Sequence, residues 1–341
     1  MKHSAFLWFV LPSAVAMLLF IFFPIVSVVV QSLHTAHEQV IIEVENCGPF
    51  GCTKATAIDQ EATAALREDQ PLGRFAGLEI YKDRNHLATA QIGPLWEQST
   101  GIGDFIGKLM NLPFYKAMGF TLTFTFVVTP LTIIFGFVIA VAVNSAARAI
   151  RGPLIFFSLL PMMVTPLIGS LILFWMVDAR GILGTALRWL ADDPSLSVKA
   201  DTGLMWVMLM VYGVWHSAPF AFIVYYAGLQ TVNTDTLEAA RIDGASRWQQ
   251  IRHVVIPHLL PLTTFIALMQ LMDNFRVFEP IVSFNASAHA TSLSWAIYND
   301  LGGETQQLSS AAATSVLTII GVAILLSPVL IRTYRDYGKA A

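Results

Sequence analysis

Residues Ala5 to Leu33 contain no charged side chain. A run of that length exceeds the roughly 20 apolar residues needed to cross a hydrocarbon core about 30 Å thick. Inside such a medium every backbone N–H and C=O must be paired within the protein, so a spanning segment is a helix or part of a closed barrel. More apolar blocks follow, and helical spans are expected at about 5–33, 117–144, 153–177, 203–230, 260–283 and 308–332. Composition agrees: 55% of residues are apolar and 13% charged, where a soluble domain carries about a quarter charged. The expected fold is therefore all-α, a polytopic membrane protein of six transmembrane helices with an insert between the first and second. The net charge of -3 gives no footprint for nucleic acid.

The first run is too long for the apolar region of a cleaved signal, and "QSLHTAHEQ" after it is a poor cleavage site, so it reads as a retained helix. Pro24, Pro130, Pro161, Pro166, Pro219 and Gly213 fall inside spans. Neighbouring helices can re-satisfy the backbone groups that such residues free, and kinks are the plain expectation. Lys2, Arg148, Arg151, Arg241, Arg247, Arg252, Arg332, Arg335 and Lys339 all fall on one side of this arrangement. The opposite side has an acidic 34–113 segment, a near-neutral 178–202 loop and a 284–307 loop without Lys or Arg. The positive-inside bias then puts both termini and the 231–259 loop in the cytoplasm.

The 34–113 segment holds both cysteines, Cys47 and Cys52, in "CGPFGC". In an oxidising compartment a short disulfide over the Gly-Pro turn is plausible; free thiols are the alternative, and a metal site lacks a four-ligand set. "HTAHE" at 34–38 has two His and a Glu without a third ligand partner, and reads as an interfacial loop. Near its end, Phe105, Ile106, Leu109 and Met110 recur at helical spacing, which predicts a short interfacial helix.

The polar 231–259 loop, "EAARIDGASRWQQIRHVVIP" at its centre, is the second strong signal. Asp235 and Glu238 resemble a capping box, Gly244 suits a left-handed helix stop, Ser246 can cap a second helix, and Pro257 ends or bends the pattern. Two short helices with a sharp turn at Gly244 are expected. Ala239 and Ala240 permit close approach. Trp248, Ile251 and Val254 offer an apolar stripe rimmed by Arg241, Asp243, Arg247 and Arg252, a composition used by docking surfaces. An ordinary loop resting on headgroups is the alternative by these features alone.

In the fifth span, Asp273, Arg276 and Glu279 are spaced by three, which would place them near one helical face. Charges at bilayer depth face a polar cavity or one another. Both a hydrophilic lining, with Asn274 beside it, and an internal ion-pair ladder satisfy that rule. Trp215, Tyr212, Tyr225 and Tyr226 in the fourth span could stack on sugar faces, though aromatic residues are also common at membrane interfaces. The chain has no Gly-x4-Gly-Lys-Ser/Thr phosphate loop and no His-Glu-x-x-His or Gly-x-Ser-x-Gly motif, so an ATPase, zinc protease or serine esterase reading has no anchor.

Glu238, Ala239, Ala240, then Gly244, then Val254, Ile256 and Pro257 resemble the signature loop of binding-protein-dependent ABC import permeases, with Val254 and Ile256 where Ile and Leu are commoner. "DNFRVFEPIVSF", through Phe275, Val277, Phe278 and Glu279, is similar to a stretch of carbohydrate permeases of the maltose and glycerol-phosphate uptake type, with Glu279 where Asp is usual. "NASAHATS" follows in place of the family's Gly-rich turn. The resemblance implies a five-helix type I importer core over 114–335, an extra N-terminal helix (1–33), an extracytoplasmic insert (34–113) and a cytoplasmic tail (336–341). It implies that Glu238, Ala239, Ala240, Arg241, Asp243, Gly244, Trp248, Ile251 and Pro257 engage an ATP-binding subunit. It further implies a second permease subunit, two such ATPases and an extracytoplasmic solute-binding protein as partners. ATP and Mg belong to the ATPase, with no cofactor, metal or catalytic residue on this chain. Permeases for a polyol, compatible solute or peptide stay open, as do a membrane-embedded enzyme or scaffold.

Overall fold

The computed structural model describes residues 3–35, 41–48, 51–302 and 306–340, and these form two compact units. One comprises the chain to Tyr115 with Ala296–Ile319; the other comprises Lys116–Trp295 with Ile320 onward.

The first unit carries the N-terminal span, Trp8–Gln31. Its helix runs through a π-turn at Leu18–Phe22, and Pro24 follows in the first turn of the resumed α-helix. A proline has no N–H to give its own turn, and widening the preceding turn removes the clash its ring would cause. Beyond the span the insert is not purely helical. Strands Ile41–Gly48 and Gly51–Ile58 pair antiparallel, and His34–Thr35 pairs with Arg74–Phe75. Cys47 stands opposite Cys52 in the hairpin register; their side chains lie outside the described residues. The helix Gln60–Asp69 starts at Asp59, whose carboxylate accepts from the N–H groups of Glu61 and Ala62. The Ile102–Leu109 helix forms where the apolar spacing predicts it, and Asp104 and Lys108 pair across one turn at 2.9 Å. That hydrogen bond holds the Asp104 carboxyl below its usual range. His86, buried, meets the Ser310 carbonyl at 3.2 Å.

The second unit holds the bundle core. Pro113–Ser145 (from Lys116 on), Thr202–Leu229 and Arg247–Phe275 are each long and apolar enough to cross a membrane; so is Leu308–Arg332, which is divided between the two units at Ile319. The predicted third span is not one helix: Arg148–Met163 and Pro166–Met176 meet at 94°. Pro166 explains the break. The residue before a proline is pushed to extended backbone, and Thr165 sits at φ -60, ψ 144. The carbonyls this frees are taken up by side chains. His216 Nδ1–H donates to the Pro161 carbonyl, in the last turn before the break, at 3.1 Å, and the Tyr212 hydroxyl braces the start of the next helix by donating to the Pro166 carbonyl at 2.8 Å. Ser170 also donates to Pro166, at 2.6 Å.

The fifth span also departs from expectation. It begins at Arg247, inside the polar loop, and ends at Phe275. Its start contains a π-turn, Ile251–Val255, two residues before Pro257. Pro257 is thus absorbed into a continuous helix, by the device seen before Pro24, and neither stops nor caps it. At the other end Pro280 has no N–H for the carbonyl of Arg276 and its ring would collide with it. The helix stops, and a separate short helix, Glu279–Ser283, follows. Asp273, Arg276 and Glu279 therefore do not share one helical face.

Packing in this unit uses small residues at crossings. A Cβ on Gly136 would lie 2.5 Å from that of Ala221, and one on Gly213 would lie 2.7 Å from the Phe124 ring. Close backbone approach is how membrane helices gain dispersion contact without a hydrophobic driving force. Two apolar clusters result. Phe120, Phe124, Met205, Leu209, Tyr212 and Phe284 belong to one; Ala221, Phe222, Tyr225, Leu259 and Ile266 belong to the other.

Candidate functional site

Two features of the second unit stand apart from packing. The first is the polar loop. Thr234–Ile242 forms a helix capped by Asn233, whose side chain accepts from the Asp235 N–H at 2.9 Å. The expected cap at Asp235 is thus displaced two residues upstream, because an Asn with extended backbone there reaches the first free N–H groups. Gly244 has φ +81. Its N–H reaches the Arg241 carbonyl, and the N–H of Ala245 reaches that of Ala240. This pair of bonds is a Schellman stop, which needs a left-handed residue at Gly244. Ser246 then starts the next helix with a full capping box: its Oγ accepts from Gln249 N–H at 3.3 Å, and Gln249 Oε1 accepts from its N–H at 2.7 Å.

Among the described residues, the turn leaves one face uncovered. Glu238, Ala239, Arg241, Asp243 and Pro257 are exposed, and Trp248 is 66% exposed. Ile242, which sequence reasoning passed over, is 86% exposed. It is the last residue of the Thr234–Ile242 helix, two before the glycine stop. Ala240 and Ile251 are half-buried and turn inward. Ile251 lines a cavity of about 320 Å³ with Arg241, Arg247, Gln250, Asn144 and Leu237. The expected Trp248–Ile251–Val254 stripe is therefore split between the outside and the bundle.

The second feature is a cavity of about 660 Å³ at the broken helices. Asp273, Asn274, Arg276, Glu279 and Tyr212 line it, with His216 and Gln270. The helix break brings them together, since Glu279 returns to the cavity on its own short helix. Asp273 and Arg276 pair at 3.0 Å. Asn274 is buried and donates to Thr129 Oγ1 at 3.0 Å, fixing the helix end against Pro113–Ser145. Ser292 Oγ donates to the Val277 carbonyl at 2.6 Å and closes the non-helical link. Tyr212 is both wall and strut, stacked on His216 with ring centroids 5.7 Å apart. Tyr225 and Trp215 are not among the lining residues. Tyr225 is buried in the second apolar cluster and donates to Thr263, and Trp215 is half-exposed beside Tyr212. Gln270 and His216 were legible only as polar residues inside apolar spans.

A polar cavity at one end of the Arg247–Phe275 helix and a capped helix pair with an exposed face at the other are features that suit a membrane transport permease. The chain belongs to the family of binding-protein-dependent transport system inner membrane components, which matches residues 120–335. A probable ABC transporter permease protein of Sinorhizobium fredii is 27% identical over 241 residues, 69% of this chain and 76% of that protein. The lactose transport system permease protein of Rhizobium radiobacter is 27% identical, covering 75% of this chain and 85% of its own length. The trehalose transport system permease protein of Mycobacterium tuberculosis is 25% identical, covering 74% and 79%. Among solved structures, a bacterial ABC transporter involved in import of the acidic polysaccharide alginate superposes with a TM-score of 0.60. It is 21% identical and covers 73% of this chain and 90% of the other.

Proposed function

We propose that this chain is the membrane permease subunit of a carbohydrate importer driven by ATP hydrolysis on a partner, and that it works by alternating access. The observation that carries the reading is the polar cavity lined by Asp273, Arg276 and Glu279 within a chain of this permease family. Charged groups inside apolar spans are stable only where they meet a polar path. The names of the relatives, trehalose and lactose permeases, support a saccharide as the solute.

In this reading both termini and the 231–259 loop face the cytoplasm. Two ATP-binding subunits dock on this chain and a second permease, and a solute-binding protein delivers the sugar from outside. ATP and Mg sit on the ATPase. The exposed Ile242 and Trp248 serve as apolar anchors, with Glu238, Arg241 and Asp243 as a polar rim. The Schellman turn at Gly244 fixes the angle between the two helices, so a push on the loop passes as a rigid movement into Arg247–Phe275, whose far end carries Asp273. A conformational change needs a partner that contacts the two states differently, and the ATPase in its open and closed forms supplies that difference.

The test is ATP-dependent uptake of labelled trehalose and lactose into proteoliposomes holding this chain, its permease partner, the ATPase and the binding protein. Uptake that requires ATP and is lost without this chain is expected. Uptake of peptides or betaines in place of any saccharide would reject the carbohydrate assignment.

A further inference from the structure

The cavity at the broken helices is unbalanced in charge and in hydrogen bonding. Arg276 is the one Lys or Arg among its lining residues, and its guanidinium is committed to Asp273 at 3.0 Å. Glu279 lines the same space and forms no ion pair among the described residues, so two carboxylates stand against one guanidinium in the lining. Two donors of the same wall are engaged elsewhere. The Tyr212 hydroxyl is given to the Pro166 carbonyl, and the Nδ1–H of His216 to that of Pro161. With Nδ1 protonated, a neutral His216 offers an acceptor at Nε2. Gln270 is 3% exposed, lines the cavity, and its Oε1 meets no donor within the protein. A buried polar atom left without a partner is costly, and such an atom beside a cavity points to a group that enters from it. The walls thus present an unpartnered acceptor at Gln270 Oε1 and a carboxylate, Glu279, without an ion-pair partner among the described residues.

We infer that Glu279 makes this cavity a charge filter, which passes uncharged saccharides through hydroxyl donation and rejects acidic ones. This rests on the carbohydrate-permease reading above. A neutral sugar carries many O–H donors, and each can bond a carboxylate or the Gln270 amide oxygen. A uronic or aldonic acid brings a second carboxylate to Glu279, which is exposed to the cavity without an ion-pair partner among the described residues, and like charges repel. The shared fold does not dictate this selection, since a solved relative of the same fold imports an acidic polysaccharide.

The test uses the assembled permease–ATPase complex in lipid nanodiscs, free of the binding protein, so that discrimination belongs to the cavity. Equilibrium dialysis compares labelled neutral sugars with their acids: lactose with lactobionate, maltose with maltobionate, glucose with glucuronate. Wild type is expected to bind the neutral member at least about tenfold tighter, with the gap shrinking at high salt. Glu279→Gln is expected to bring the neutral-to-acidic ratio within about twofold. Equal binding of both members by wild type overturns the charge filter and leaves the carbohydrate reading standing, because a cation from the partner subunit would then balance Glu279. An unchanged ratio in Glu279→Gln overturns the role of that residue. Binding of no saccharide of either kind sinks the carbohydrate reading itself. The wild-type comparison and its salt dependence need no variant, so a poorly folding Glu279→Gln does not protect the proposal.

Discussion

The capped helix pair at 234–250 and the cavity at 273–280 are built by opposite means. The helix pair is local: Asn233, Gly244, Ser246 and Gln249 satisfy each other's backbone groups within a few residues, and its face stays open. The cavity is non-local. Its walls come from Pro113–Ser145, the broken 148–176 pair, Thr202–Leu229 and the end of Arg247–Phe275. Its polar groups are held by bonds across long sequence separations, such as Asn274 to Thr129 and Tyr212 to Pro166. A local device can be pushed as a unit without being remade, whereas a non-local cavity changes when any wall moves. That division suits a permease in which one region receives force and the other responds to it.

If the two regions are separable, damage to the helix pair abolishes coupling and spares sugar binding. The largest effect is expected for the double variant Ile242→Asp with Trp248→Glu. Removing two exposed apolar anchors from an interface costs about 2–4 kcal/mol, so ATPase co-purification should fall by at least about 30-fold while sugar dialysis on the permease pair is unchanged. Loss of sugar binding in that variant would break the separation.

Next comes Gly244→Val. A β-branched residue at φ +81 carries strain of about 1–3 kcal/mol, and no atom lies within 4 Å of the added Cβ, so a steric clash is not the cause. Uptake should drop about tenfold, and Gly244→Asn should recover most of it because Asn tolerates the left-handed region. Equal loss in both would point to contact with the partner and away from backbone strain.

On the cavity side, Tyr212→Phe removes the donor to the Pro166 carbonyl and should lower the stability of the permease by about 1 kcal/mol, read as a lower unfolding midpoint. It should weaken sugar binding and leave ATPase co-purification intact, the mirror image of the loop variants. The smallest effect lies outside both regions. Lys199 bonds Asp178 at 2.7 Å and holds its carboxyl below the usual range. A depressed carboxyl stabilises the fold above its unfolded pKa, and that contribution is lost as pH falls through the lower folded value. Amide protection of the 178–202 loop, corrected for the intrinsic exchange rate, should therefore fall below about pH 4 in wild type, and Lys199→Met should weaken that pH dependence.

The apolar runs, the Gly244 stop and the Ser246 cap were legible because each rests on a period or a contact only a few residues long. The same short range explains the misreadings. Asp235 looked like a cap, but Asn233 lay nearer the first free N–H groups. Three charges at spacing three suggested one helical face, although Pro280 already marked the break that separates Glu279 from the others. Pro166 read as a kink, and the structure shows a 94° break with its carbonyls satisfied from another helix. Tyr225 and Trp215 shared the aromatic pattern of Tyr212 without its position at the break.

By itself the sequence determined that the chain crosses a membrane several times, that its polar loop is two helices hinged at a glycine, and that ionisable groups occur at the end of the fifth span. Those facts follow from hydrocarbon thickness, helix periodicity and backbone capping, all of which act along the chain. Only the tertiary structure decided which polar groups meet. It gave Tyr212 and His216 to the carbonyls of the broken span, left Gln270 Oε1 without a donor, and turned Glu279 toward the cavity without an ion-pair partner among the described residues. Whether a buried polar group is paired or waiting for a ligand depends on neighbours tens of residues away, 46 for Tyr212 and 55 for His216, and a one-dimensional pattern carries no measure of that distance.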